Sequence, residues 1–198
     1  MEIRLLTEAE LADVYRRHLI PAFPPAELRP LGAMLDMVRQ GIYRPYALVD
    51  GGDIVGEALL WDCAPGWLLF DYLCVAPDQR SGGLGAHLIQ SVVAAEKDAV
   101  IFGESEVPDY APDPAMARRR LAFYRRCGAR VAGYQASVFG VPYHALYLAQ
   151  GEVDEAAMMT AHREAYRSRL PEKLFRRFIC IPWDISMGLP EQHPWEEE

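Results

Sequence analysis

Leu68-Leu69-Phe70-Asp71-Tyr72-Leu73-Cys74-Val75-Ala76-Pro77-Asp78-Gln79-Arg80-Ser81-Gly82-Gly83-Leu84-Gly85-Ala86-His87-Leu88-Ile89 passes from an apolar run through a polar turn into a glycine-rich helix start. The run is apolar on both faces, broken by Asp71 and closed by Pro77, which is the pattern of a buried strand. After Gly83, the residues Leu84, Leu88, Ile89, Val92 and Ala95 recur at helical spacing, so one helix face belongs to the core. A helix entered through Arg80-Ser81-Gly82-Gly83-Leu84-Gly85 has unpaired amides and no bulky side chains to keep a ligand away. Those amides, the positive end of the helix dipole and Arg80 together suit an oligophosphate.

Two phosphate loops do not fit these residues. No Gly-Lys-Ser/Thr follows at Walker A spacing, and Gly83-Leu84-Gly85 runs into Ala86, His87 and Leu88 without a third glycine. Where a dinucleotide fold has an acidic residue about 20 positions on, this chain has Asp109 in a proline-rich loop. A tight strand-to-helix turn without a ligand is the plain alternative.

Arg80-x-x-Gly83-x-Gly85, entered from Leu73-x-Val75-x-Pro77, closely resembles the acetyl-CoA-binding motif of the GNAT superfamily of N-acetyltransferases. Downstream, Arg119-Arg120-Leu121-Ala122-Phe123-Tyr124-Arg125-Arg126-Cys127-Gly128-Ala129 resembles that superfamily's helix ending in Phe-Tyr-x-x-x-Gly-Phe, with Ala129 in place of the usual aromatic. The resemblance covers about the first three quarters of the chain. It implies an α/β (α+β) fold: a mixed, mostly antiparallel central sheet with splayed parallel strands, flanked by helices. The splayed strands are then Leu68–Val75 and Ala99–Glu104. Residues 1–150 form the acetyltransferase domain, and 151–198 a C-terminal helical extension with an acidic tail packed on it. Acetyl-CoA is the implied cofactor. Its pyrophosphate falls to Arg80, Ser81, Gly82, Gly83, Leu84, Gly85 and Ala86, and its pantetheine arm to the backbone of Leu73, Cys74 and Val75.

Composition narrows the partners. At 198 residues the chain suits one generous domain, and 51% hydrophobic content is ample for a core. A formal net charge of −8 argues against nonspecific nucleic acid or acidic membrane binding, and is compatible with cationic substrates. Cys63, Cys74, Cys127 and Cys180 show neither a CxxC pair nor metal-ligand spacing, so no metal is expected and reduced cytoplasmic thiols are the default. No signal peptide opens the chain and no apolar run approaches the roughly 18 residues of a membrane span.

In chain order, Ile3 to Leu6 reads as a strand, with Thr7 and Glu10 as the capping box of a helix lined by Leu11, Val14, Tyr15 and His18 up to Pro21. Pro21 to Pro25 is a rigid elbow, and a second helix is expected through Leu28, Leu31, Leu35 and Val38 to Gly41. Tyr43 to Val49 and Ile54 to Trp61 form a hairpin across Asp50-Gly51-Gly52-Asp53. Ala99 to Glu104 is a short strand and Ser105 to Pro114 is irregular. Asp113-Pro114 opens the next helix, with Ala117, Leu121 and Tyr124 inward and its arginines mostly in water, until Gly128 ends it. Val131 to Phe139 and Tyr143 to Leu148 make a final hairpin. A helix follows over Val153 to Arg167, then a second short one, and Phe178 to Ile181 is a candidate edge strand. The tail from Met187 is proline-rich and acidic.

Acetyl transfer to an amine needs a held thioester, an oxyanion donor, a neutral amine and a proton for the departing thiolate. One amide of the Leu73–Val75 strand is the implied oxyanion donor. Tyr124 is the candidate proton donor, because a phenol near pKa 10 faces a thiolate of roughly 8.5 to 9 at little cost; the alternative is a rim tyrosine. An alkylammonium is neutral only about once in 2,500 at pH 7, a penalty of roughly 4 to 5 kcal/mol. Glu104 and Glu106 share one side of a strand end and are the candidate base and cation site, against a solvated strand exit. Asp71 is their rival. A buried Cys74 with no His or Lys nearby in sequence reads as packing, and His18, His87 and His144 as core or rim.

These readings describe an acetyl-CoA-dependent N-acetyltransferase moving an acetyl group to a primary amine of a small molecule or peptide by direct attack in a ternary complex. A non-catalytic acyl-CoA sensor or scaffold of the same fold is the alternative. Homodimers are common in the resemblance group, and the acceptor amine is not legible.

Overall fold

A computed structural model describes residues 1–79 and 82–188. Thr7 builds the first junction: β1 (Glu2–Leu5) turns into α1 (Glu8–Val14) through the expected capping box. The Thr7 hydroxyl accepts from the Glu10 amide, and Glu10 Oε2 accepts from the Thr7 amide at 2.8 Å. The helix then widens into a π-helical turn over Tyr15–Leu19, where the Ile20 amide donates to the Tyr15 carbonyl. Pro21, which has no amide to offer the preceding turn, follows in the short α2 (Ile20–Ala22), one residue past the expected stop.

The second helix starts later than its apolar spacing suggests. It is α3 (Leu31–Arg39), with Pro30 at the N-cap. A proline pushes the residue before it out of the helical region, which keeps a helix from running through Arg29, and Leu28 ahead of it is extended (φ −97°, ψ 110°). Arg29 is thereby carried inside, 4% exposed.

Two units of the fold are each tied together by their own strands. The first takes residues Met1–Asp62 and Phe70–Glu96. Here β1 pairs antiparallel with β2 (Tyr43–Asp50), which pairs antiparallel with β3 (Asp53–Ala64). The Asp50↔Asp53 pair closes on Gly51-Gly52, both at positive φ (58° and 96°), as a two-residue hairpin requires. The strand β4 (Trp67–Val75) follows β3 in the sheet, and the helix α4 (Leu84–Ala95) packs Leu88, Ile89 and Val92 into the core. Each such side chain contributes about 1.5–3 kcal/mol.

The second unit takes Cys63–Leu69 and the described residues from Lys97 on. Its strands stand in the order β5 (Val100–Glu106), β7 (Val141–Leu148), β6 (Arg130–Val138), β8 (Ile179–Trp183), all neighbours antiparallel. Within this unit the Val100 amide donates to the Gly66 carbonyl at 2.9 Å. Pairing with β7 continues to Glu106↔Tyr143, so the strand outlasts the expected end at Glu104. Helix α5 (Pro114–Arg126) starts as read, the Asp113 carboxylate accepting from the amides of Ala115 and Met116. Helices α6 (Glu155–Arg167) and α7 (Glu172–Phe178) precede β8, which is the expected edge strand. The whole is α/β, with a mixed, mostly antiparallel arrangement of strands flanked by helices.

Candidate functional site

β4 leaves the first unit's sheet through one 3₁₀ turn, Pro77–Gln79, and re-enters structure at Gly83. Gly83 is the N-cap of α4 at φ 77°, ψ 0°, a left-handed conformation that penalises any residue with a Cβ. A Cβ built there meets nothing within 4 Å, so backbone conformation, not space, selects glycine. The N-cap makes no side-chain hydrogen bond and no acidic residue sits in the first turn. The first intrahelical bond comes from the His87 amide to the Gly83 carbonyl. Hence the amides of Leu84, Gly85 and Ala86 have no acceptor within the helix and point out of its positive end, a geometry that fits a diphosphate. Arg80 and Ser81, expected in the same cradle, lie outside the described residues.

Upstream, Cys74 is buried and its thiol donates to the His18 carbonyl at 3.5 Å, so it is a packed side chain. A Cβ at Gly56 would stand 3.0 Å from the Cys74 carbonyl, so glycine lets β3 lie close to that strand.

His18, expected at the core or rim, is buried with an unforeseen partner. Its Nδ1 lies 2.5 Å from Glu57 Oε1, and Glu57 is fully buried. Among the described residues Glu57 Oε2 has no hydrogen-bond partner. Burial pushes the Glu57 carboxyl up to about 8, against the pull of Arg17. Burial and Arg17 push His18 down, against Asp13 and Asp78. Both shifts favour a neutral pair.

A raised carboxyl pKa stabilises the fold fully below the unfolded value near 4.5, and that stability is lost as pH rises toward about 8. Chemical denaturation of Glu57→Gln from pH 5 to 8 is therefore expected to lack a decline, up to several kcal/mol, that the natural chain shows. His18 contributes the opposite slope below its ordinary value, in both proteins. Parallel curves would exclude the buried acid.

Asp71, the rival base, is committed elsewhere. It accepts from Arg29 Nε (3.2 Å) and from the Tyr43 hydroxyl (2.6 Å), while Arg29 stacks over Trp61. The Tyr72 hydroxyl accepts from the Arg29 amide and donates to the Glu27 carbonyl, both at 2.8 Å. Burial is the largest influence and opposes the Arg29 charge, but Asp71, Tyr43 and Tyr72 together outweigh it and hold the guanidinium protonated. Removing one member of such a pair costs about 3–5 kcal/mol, so Asp71 serves the fold.

In the second unit, α5 presents Tyr124 half-buried against Leu121, Ala129 and Leu146, with Gly128 (φ 95°) ending the turn beyond it. Burial raises the Tyr124 phenol, Arg120 opposes this and Cys127 adds to it, so the hydroxyl keeps its proton. Arg120 also donates to Glu106 Oε2 at 2.5 Å. The expected acid and one expected carboxylate thus share an arginine that the sequence assigns to solvent.

Glu104 has different company. Its Oε1 lies 2.8 Å from His162 Nε2 and its Oε2 accepts from the Tyr166 hydroxyl at 3.0 Å. His162 Nδ1 is 3.2 Å from the Tyr134 hydroxyl. None of these three partners is singled out by the sequence reading. The available signal is the position of His162 and Tyr166 on the apolar stripe of α6 with Met158, Ala161 and Ala165.

Residues 42–128 match the family model described as an acetyltransferase (GNAT) domain. No curated protein matches the chain. Among solved structures, an acetyltransferase of the GNAT family from Bacteroides thetaiotaomicron is similar at 20% identity and a TM-score of 0.66, over 82% of this chain and 95% of that one. A spermidine N-acetyltransferase from Vibrio cholerae, solved with CoA and spermine, is 13% identical with a TM-score of 0.58, over 75% and 95%. The ribosomal-protein-S18-alanine N-acetyltransferase of Escherichia coli is 16% identical with a TM-score of 0.57, over 77% and 97%. The glycine-capped helix and the Phe-Tyr helix both fall within the stretch 42–128 that matches the acetyltransferase (GNAT) domain model, and the fold is the one shared with these solved structures.

Proposed function

We propose that this protein is an acetyl-CoA-dependent N-acetyltransferase that moves an acetyl group to a primary amine by direct attack in a ternary complex. The observation that carries the reading is the left-handed Gly83 cap without a side-chain hydrogen bond, inside the region that matches the family. Acetyl-CoA supplies the activated thioester. The amides from Gly82 to Ala86 bind its diphosphate, with Arg80 and Ser81 adding charge and a hydroxyl. The backbone of Leu73, Cys74 and Val75 aligns the pantetheine arm, and one of these amides stabilises the developing oxyanion.

Tyr124 holds the proton at Oη that the departing sulfur takes. Glu104 and Glu106 hold the acceptor's cation and help relay its proton away, which offsets the penalty of using a neutral amine at pH 7. The similar proteins that act on spermidine and on a ribosomal protein's alanine support an amine acceptor, small molecule or peptide. Residues 1–150 form the acetyltransferase domain, with 151–198 as an extension on it. Four free cysteines suit a reducing cytoplasm.

Isothermal titration with acetyl-CoA, followed by thiol release over a panel of polyamines, amino acids and peptides, tests the reading. Binding together with amine-dependent release is expected. Binding without release by any amine identifies an acyl-CoA sensor, and no binding removes the cofactor.

A further inference from the structure

Helix α6 lies outside the family match, yet it brings two side chains to Glu104. The carboxylate accepts from the Tyr166 phenol on one oxygen and meets His162 Nε2 on the other. His162 is wholly buried, with the Phe102 ring centroid 5.3 Å away and those of Tyr166 and Tyr134 at 5.8 Å and 6.0 Å.

The tautomer follows from the partners. A carboxylate only accepts, so Nε2 carries the ring proton. Nδ1 is left with a lone pair, to which the Tyr134 hydroxyl donates. The ladder shifts register between Val131 and Gln135, and this irregular stretch of β6 contains Tyr134. Carboxylate, imidazole and hydroxyl thus form one chain of hydrogen bonds whose last member, Tyr134, is half-exposed.

We propose that Glu104, His162 and Tyr134 form a proton relay for the acetyl transfer, in which His162 Nδ1 receives the acceptor's proton and Glu104 positions the ring. This rests on the N-acetyltransferase reading. The acceptor's ammonium gives up one N–H proton to the Tyr134 oxygen while the Tyr134 proton passes to Nδ1. The phenol is restored, the ring becomes imidazolium, and Glu104 stands against it as counter-charge. Only protons move, and no further reactant is needed.

Burial first, then Glu104 and Glu155, raise the Tyr134 phenol, so it conducts a proton without resting as phenolate. Beside the relay, Tyr166 from α6 donates to Glu104 Oε2 and Glu155 from α6 acts on Tyr134. Glu155 itself accepts from the Gly133 amide (2.7 Å) and the Tyr147 hydroxyl (3.1 Å).

Long-range ¹⁵N–¹H spectra of the imidazoles in the full chain give a readout independent of turnover. His162 is expected as the Nε2–H tautomer, with Nδ1 unprotonated; an Nδ1–H ring overturns the relay whatever the activity. His162→Gln is expected to lower kcat roughly a hundredfold and keep the acetyl-CoA Kd within about twofold. Tyr134→Phe is expected to lower kcat comparably. Nε2–H with unaltered kcat in both variants overturns the relay alone. A natural chain that releases no thiol with any amine overturns the enzyme reading, and the relay's role with it.

Discussion

Gly83→Glu loses coenzyme A binding while remaining folded. Two effects act together at that position. The left-handed φ of 77° strains any residue with a Cβ by about 1–2 kcal/mol. The new carboxylate then competes for the same helix-end amides and repels the diphosphate. Because a Cβ there meets nothing within 4 Å, no core is disturbed, and Tm should fall by only a few degrees. Isothermal titration is expected to show Kd weakened by at least roughly a hundredfold, about 2.7 kcal/mol. Unchanged affinity in a folded variant would move the diphosphate away from this loop.

Tyr124→Phe separates chemistry from binding. The ring packs against Leu121, Ala129 and Leu146, and phenylalanine keeps that contact. Only the hydroxyl is lost, and with it the proton proposed for the departing sulfur. A general acid contributes roughly 10²–10⁴-fold, so kcat should fall by about a hundredfold or more, with acetyl-CoA affinity within about twofold. That split is the signature of an interaction made only in the transition state. Equal kcat would make Tyr124 a rim residue, the alternative its half-burial also allows. Arg120 ties this position to Glu106, so ionic strength should affect the natural chain more than a variant lacking that guanidinium.

Local chemistry made much of the fold readable. Thr7 with Glu10, Gly51-Gly52, Asp113-Pro114 and the turn at Gly83 each determine a few dihedrals from neighbouring residues, and each stands where its spacing put it. Other features depend on partners far along the chain. Arg29 lies in the span whose apolar spacing predicts a helix, yet this long cation is buried, with Asp71 and Trp61 receiving it. Ser105 and Glu106 lack strand character of their own and are held extended by β7. The π turn at Tyr15–Leu19 follows from a proline two residues later, and the His18–Glu57 pair it accommodates spans 39 positions.

The same distinction divides the candidate site. The glycine loop and the Phe-Tyr helix are contiguous and carry their meaning in order. Glu104 is legible as a carboxylate near a strand end, but its environment is not, because His162 lies 58 residues away on a helix beyond the resemblance. The histidine sits among Met158, Ala161 and Ala165, where an apolar stripe alone suggests only a core position.

In the proposed function, main-chain amides at the start of α4 bind the diphosphate of coenzyme A. Titrating coenzyme A into ¹⁵N-labelled protein and following backbone amides tests it most directly. The amides of Gly82, Gly83, Leu84, Gly85 and Ala86 should shift together, saturate with a single Kd, and stay unshifted in Gly83→Glu. Saturable binding that leaves these five resonances in place would contradict the account.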